Sequence, residues 1–144
     1  MDDFLSAEGL ITDRLKAAAP QLESVYTAQD LASAGEGAQR TPAAHVMLDG
    51  LAPGEVRADG INARWTQTWG IVVAVRNANP RNPSGAHNAA GPVLTEVLTA
   101  LQGWRPSEDH SPLEPTSSSY RPTYRAGFAY MPLAFETRLI IKGD

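Results

Sequence analysis

The sequence predicts an α+β fold: a mostly antiparallel sheet packed against two helices, in a single domain spanning residues 1–144. Three observations carry this. Two long runs, Arg64 to Asn77 and Phe128 to Ile141, alternate along the chain with a period of two. Two other segments repeat apolar residues at three- and four-residue steps. The elements follow the order helix, strand, short helix, strand, strand, helix, strand, with a doubtful edge strand inside the last long loop.

The first helix is expected over residues 3–19. Phe4, Ala7, Ile11, Leu15 and Ala18 form its apolar stripe, with Leu10 flanking. Asp2 or Asp3 caps its first turn, and Pro20 stops it. Residues 21–27 fit a short strand. Asp30 is placed to cap one or two helical turns before Gly35 and Gly37 loosen the chain. Ala43 to Asp49 reads as a second strand, and Pro53-Gly54 as the turn after it.

Arg64 to Asn77 is the strongest strand. Trp65, Gln67, Trp69, Ile71, Val73 and Val75 share one face, and the other face is mostly small or polar. At about 3.3 Å per residue it reaches roughly 45 Å, so part of it is expected to project beyond the body. Residues 78–90 have loop composition. A second helix then begins with Gly91 before Pro92, buries Leu94, Val97, Leu98 and Leu101, and ends at Gly103.

Residues 105–126 carry Pro106, Pro112, Pro115 and Pro122 and read as a long loop or a weak edge strand around Leu113. In the last strand, Ala129, Met131, Leu133, Phe135, Thr137, Leu139 and Ile141 share a face. Pro132 cannot donate to a ladder, so this strand is an edge there or carries a bulge.

Composition narrows the function. With 144 residues the chain buries roughly two-thirds of its unfolded surface, enough for a core without staples. It has no cysteine, which excludes a disulfide scaffold, a thiolate nucleophile and any Cys-ligated zinc. A net charge of −4 argues against duplex DNA binding as the main task. The charge is uneven: residues 1–60 hold ten acids and four bases, and residues 61–144 hold six acids and eight bases. No stretch approaches the roughly 18 apolar residues of a membrane span, so a soluble protein without membrane contact is expected.

No catalytic arrangement stands out. His45, His87 and His110 form no H-x-x-x-H pair. His45 with Asp49, and His110 with Glu114, have a spacing that converges on a metal only along a helix. Ser84 lacks the leading glycine of a nucleophile elbow, and Gly85 to Gly91 is not a phosphate loop. The reading is therefore a binding or structural protein, not an enzyme, with no cofactor and no metal. Two proline-bearing loops marked by arginine suit contacts with neighbouring subunits. The candidate interface residues are Arg76, Arg81, Arg105, Tyr120, Arg121, Tyr124 and Arg125.

Three segments together point to a family: Trp69-Gly70-Ile71-Val72-Val73-Ala74-Val75-Arg76; Ala90-Gly91-Pro92-Val93-Leu94 through Val97-Leu98-Thr99-Ala100-Leu101-Gln102-Gly103-Trp104; and Tyr124-Arg125-Ala126-Gly127-Phe128-Ala129-Tyr130-Met131-Pro132-Leu133-Ala134-Phe135-Glu136-Thr137. This combination resembles the tail terminator proteins of tailed bacteriophages, especially the Mu-like and related prophage groups, from the first helix to the last strand. The resemblance implies a homo-hexameric ring on the head-proximal end of the tail tube, assembled in the host cytoplasm and retained in the virion. Its implied partners are its own copies, the tail tube protein, the tail sheath protein in contractile phages, and a neck or head-completion protein. DNA would only pass through the ring. The family has no invariant catalytic signature, so no residue-level site carries over. Another neck or head-completion ring protein would look alike here. A small-ligand binding domain built on Trp65, Trp69 and His45 is the reading from a different class.

Overall fold

The computed structural model describes residues 2–27, 30, 38–77, 81 and 84–144. Among them, helix α1 (Ala7–Ala18) and strand β1 (Ser24–Thr27) precede two long strands, β2 (Ala43–Val56) and β3 (Asn62–Arg76). Helix α2 (Ser84–Leu101), short strands β4 (Glu114–Thr116) and β5 (Thr123–Arg125), and the long strand β6 (Phe128–Lys142) complete the fold. The strands form one six-stranded sheet in the order β1-β2-β3-β6-β4, with β5 also pairing to β6. Only β1–β2 is parallel; the other pairs are antiparallel. The architecture is the α+β class read from the sequence.

Both helices lie on one face of the sheet. Ile11 and Leu15 of α1, with Val97 and Leu101 of α2, meet Trp69, Ile71 and Val73 of β3 and Phe135 of β6 in one core. Burying each such aliphatic side chain contributes about 1.5–3 kcal/mol. Gln67 also points into this core. Its Nε2 donates to the Phe4 carbonyl and its Oε1 accepts from Trp69 Nε1 at 3.2 Å, so its buried amide is satisfied.

Four boundaries differ from the sequence reading. Helix α1 begins at Ala7 rather than residue 3. The Asp3 carboxylate instead accepts from the Leu5 amide at 2.9 Å in a turn before the helix.

Strand β2 runs through Pro53-Gly54 to Val56, so no turn forms there. Its pairing with β1 ends at Val46, which leaves Pro53 on an open edge where a missing N–H costs nothing. Irregular register between Leu48 and Gly50, and between Pro53 and Val56, absorbs the bend. The turn falls at Arg57–Asn62, closed by the Arg57 amide on the Asn62 carbonyl at 2.9 Å, with Gly60 at φ 73°.

Helix α2 starts at Ser84, so residues 84–90 are helical and Pro92 lies inside the helix, not at its first position. Ala86 and Ala90 are buried on the same stripe as Val93 and Val97. Alanine's high helix propensity and this burial together outweigh the local cost of the proline. Gly103 ends the helix with φ 80°, as its position predicts.

The 105–126 segment supplies two short strands on the outer side of β6, one beside Leu113 and one unforeseen. They pair to residues 134–136 and 128–130. Pro132 sits in the gap between them, at an open edge. The proposed helical turns after Asp30 fall mostly on residues outside those described. Asp30 itself accepts hydrogen bonds from the Thr27 amide and hydroxyl, which hold its carboxyl below the usual range.

The distal ends of β2, β3 and β6 form an arm, as the length of β3 predicts. Residues 51–56 are all exposed. Leu51, Val56 and Ile61 stay open to solvent there, and Ile140 is 63% exposed.

Candidate functional site

The face of the sheet away from the helices carries the largest concentration of the candidate residues. Its position depends on a tight turn. Ala126 and Gly127, with φ 52° and 80°, join β5 to β6. Two consecutive positive φ values match the right-handed twist of the paired strands. The turn sets Thr123 opposite Tyr130, Tyr124 opposite Ala129 and Arg125 opposite Phe128.

Upstream, the Ser119 hydroxyl bonds the Asp49 carboxylate on β2. The chain from Ser119 to Thr123 therefore bridges from β2 to β6, across β3. A groove of about 480 Å³ lies beside this bridge. His45 and Met47 of β2, Val72 of β3 and Tyr130 of β6 make its floor. Tyr120, Arg121, Thr123 and Arg125 make its rim.

The floor is held by a chain of polar contacts. The His45 ring stacks on Tyr26 with centroids 5.4 Å apart. Its Nε2 lies 2.9 Å from Gln39 Oε1, and Gln39 Nε2 donates to the Tyr130 hydroxyl at 3.0 Å. The Gln39 oxygen can only accept, so His45 Nε2 carries a proton. These bonds tie His45 of β2 to Tyr130 of β6 through Gln39 beneath the groove.

Next to the groove, arginines and aromatic rings alternate. Arg125 lies 5.3 Å over the Tyr130 ring and Arg76 lies 5.1 Å over Phe128. Each stack is worth about 0.5–1 kcal/mol at an exposed site. Beyond β5, His87 Nε2 and the Tyr124 hydroxyl are 2.5 Å apart. The surface is thus a shallow apolar floor with a cationic, tyrosine-bearing rim. It fits an apolar side chain flanked by carboxylates.

Of the seven candidate residues, Arg76, Tyr120, Arg121, Tyr124 and Arg125 gather at this end of the sheet. Arg81 is exposed, and residues 78–80 and 82–83 around it lie outside those described. Arg105 is exposed beyond the C-terminal end of α2, whereas β5 borders the start of that helix. Eighteen helical residues span about 27 Å, so Arg105 stands apart.

The sequence reading missed Gln39 and Met47 and gave His45 a different setting. Period-two alternation along β2 puts His45 and Met47 on one face, but which face meets the 119–125 bridge depends on pairings distant in sequence. Trp65, Trp69 and His45 do not come together. Trp69 is fully buried on the helix side, Trp65 packs edge-on against Phe4 at 6.0 Å, and His45 faces the other way. Among the described residues, no three His, Asp or Glu side chains group closely enough to hold a metal ion. No helix among them is long and apolar enough to cross a membrane.

Comparison with known proteins gives both a family match and structural matches. The family profile described as Phage tail terminator protein matches residues 1–144. A chain from the structure titled "Virion of native gene transfer agent (GTA) particle" shares the fold with a TM-score of 0.60 and 16% identity, over 96% of this chain and 99% of that one. No curated protein matches at a significant level.

Proposed function

The chain belongs to the phage tail terminator family, a family of structural tail proteins, and from that premise we propose that it forms a hexameric ring on the head-proximal end of the tail tube. The ring ends tube polymerisation and joins the tail to the neck. The single observation that carries this is the family match across all of residues 1–144. The fold shared with a chain of a gene transfer agent virion supports it.

The physical logic of capping is asymmetric. One face of the ring must imitate a tube subunit, and the other must offer no further surface for tube growth. A heterologous contact repeated about a closed axis supplies a ring. Long strands that extend past the core, with apolar residues on their exposed ends, suit such contacts. The partners are other copies of this chain, the tail tube protein, the tail sheath protein where the tail is contractile, and a neck or head-completion protein. The net charge of −4 suits a ring through which DNA slides without adhering. The work is shape rather than catalysis, carried out in the virion after assembly in the host cytoplasm.

Deleting the gene from the producing genome and imaging the lysate by electron microscopy tests this. Tails of uncontrolled length, or headless tails beside free heads, are expected. Normal infectious particles would overturn the proposal. A neck or head-completion protein would instead leave tails of normal, uniform and terminated length.

A further inference from the structure

The geometry points to a specific contact between copies: the acidic N-terminal turn of one chain seats in the arginine-rimmed groove of the next. This rests on the ring reading above and adds the two surfaces that meet.

The groove needs an occupant with an exposed apolar side chain and uncompensated carboxylates. Its floor is Met47, Val72 and Tyr130, and its rim holds Arg121 and Arg125. Arg121 has no ion pair among the described residues. Two surfaces of the same chain come close to that description.

On the arm, Glu55 lies 4.0 Å from Arg64, and Asp59 falls between Arg57 and Arg64 in the sequence. The arm's carboxylates thus have bases beside them. The N-terminal turn is different. Residues 2–13 hold Asp2, Asp3, Glu8 and Asp13 with no Lys or Arg among them, and Leu5 in this stretch is 43% exposed. Charge complementarity selects this turn.

Position makes the contact intermolecular. The turn is pinned to the helix side of the sheet, where the Phe4 carbonyl accepts from Gln67 and the Phe4 ring meets Trp65. The groove opens on the opposite face at Val72. Five to seven strand residues separate these points, about 17–23 Å along β3. One chain cannot close on itself through its own sheet. Two unlike, complementary patches on opposite faces make a heterologous contact, the kind that propagates and closes into a ring.

The test uses the full chain with purified tail tubes and reads ring formation by mass measurement and electron microscopy. Arg121→Glu is expected to raise the concentration needed for rings at least about tenfold, because it sets like charges against each other. Asp2→Arg is expected to weaken assembly in the same direction. The double variant Asp2→Arg/Arg121→Glu restores opposite signs at every contact and should recover most of the loss.

The absence of native cysteine allows a second readout. Leu5→Cys combined with Tyr120→Cys should give a ladder of oxidised oligomers on tubes, whereas each single variant stops at dimers. Both positions are exposed, so folding is preserved, and a thermal melt checks it.

If the native chain forms rings while Arg121→Glu forms them equally well and the cysteine pair gives no ladder, this contact is wrong and the ring reading stands. Native chain that stays monomeric on tubes overturns both. Loss of rings in Arg121→Glu with no recovery in the double variant and no ladder assigns the groove to another partner, such as the tube protein, and overturns the contact.

Discussion

His87 Nε2 and the Tyr124 hydroxyl lie 2.5 Å apart, joining the first turn of α2 to β5. The contact links two segments that sequence composition marks as separate loops. It also steadies the short strand that carries Arg125 to the groove.

Tyr124→Phe removes that hydrogen bond and nothing else. The site is solvent-exposed, so the cost is about 0.5–1 kcal/mol of global stability. The larger effect is local: amides of residues 123–125 should exchange with solvent several times faster in a hydrogen-exchange experiment. Unchanged exchange there would show that the turn at Ala126 and Gly127 holds β5 unaided.

Trp69→Ala should cost about 3–5 kcal/mol. Trp69 is fully buried between the sheet and the helices, and its indole N–H occupies the Gln67 oxygen. The substitution leaves a cavity and an unsatisfied acceptor. A chemical denaturation midpoint measures it, and a loss below 1 kcal/mol would contradict the packing described.

Pro92→Ala should stabilise the protein. Pro92 lies exposed within α2, where it breaks a backbone hydrogen bond of the helix. Alanine restores the donor, and part of the gain is offset by the greater freedom of the unfolded chain. The expected net is about 1–2 kcal/mol, seen as a higher Tm. A lower Tm would mean that the packing requires the proline's bend.

His110 links stability to pH. Burial lowers its pKa from 6.5, and neighbouring Asp109 opposes the shift in part. The ring is neutral in the fold, with Nδ1 2.7 Å from the Ser107 hydroxyl. Below about pH 6.5 the unfolded chain takes up a proton that the folded chain disfavours. The stability from this group is therefore complete above that pH and lost as pH falls through the folded pKa. Denaturation at pH 5 and pH 7.5 should show a smaller difference in His110→Gln than in the native chain. An equal or larger difference in the variant would contradict this assignment.

Legibility followed the range of the forces involved. Strand β3 was readable because a period of two over fourteen residues leaves one face for the core. The stop of α2 at Gly103 was readable because positive φ favours glycine. The start of α2 was not, because Ala86 and Ala90 are too small to register as an apolar stripe until a sheet covers them. Pro53 marked a turn by local chemistry, yet an open edge let the strand run through it. The groove residues were half legible. Tyr120, Arg121 and Arg125 stand out by type, while His45 and Met47, with Gln39 beneath them, join them only through pairings distant in sequence.

Local periodicity and residue type act over a few neighbours, and they already specify the α+β class, the two dominant strands, the stripe of α1 and the family. Tertiary structure decided which face each side chain shows. It set the bridge from β2 to β6 over one face and left the acidic turn on the other, because strand order and the Ala126-Gly127 turn bring together residues that the chain holds far apart.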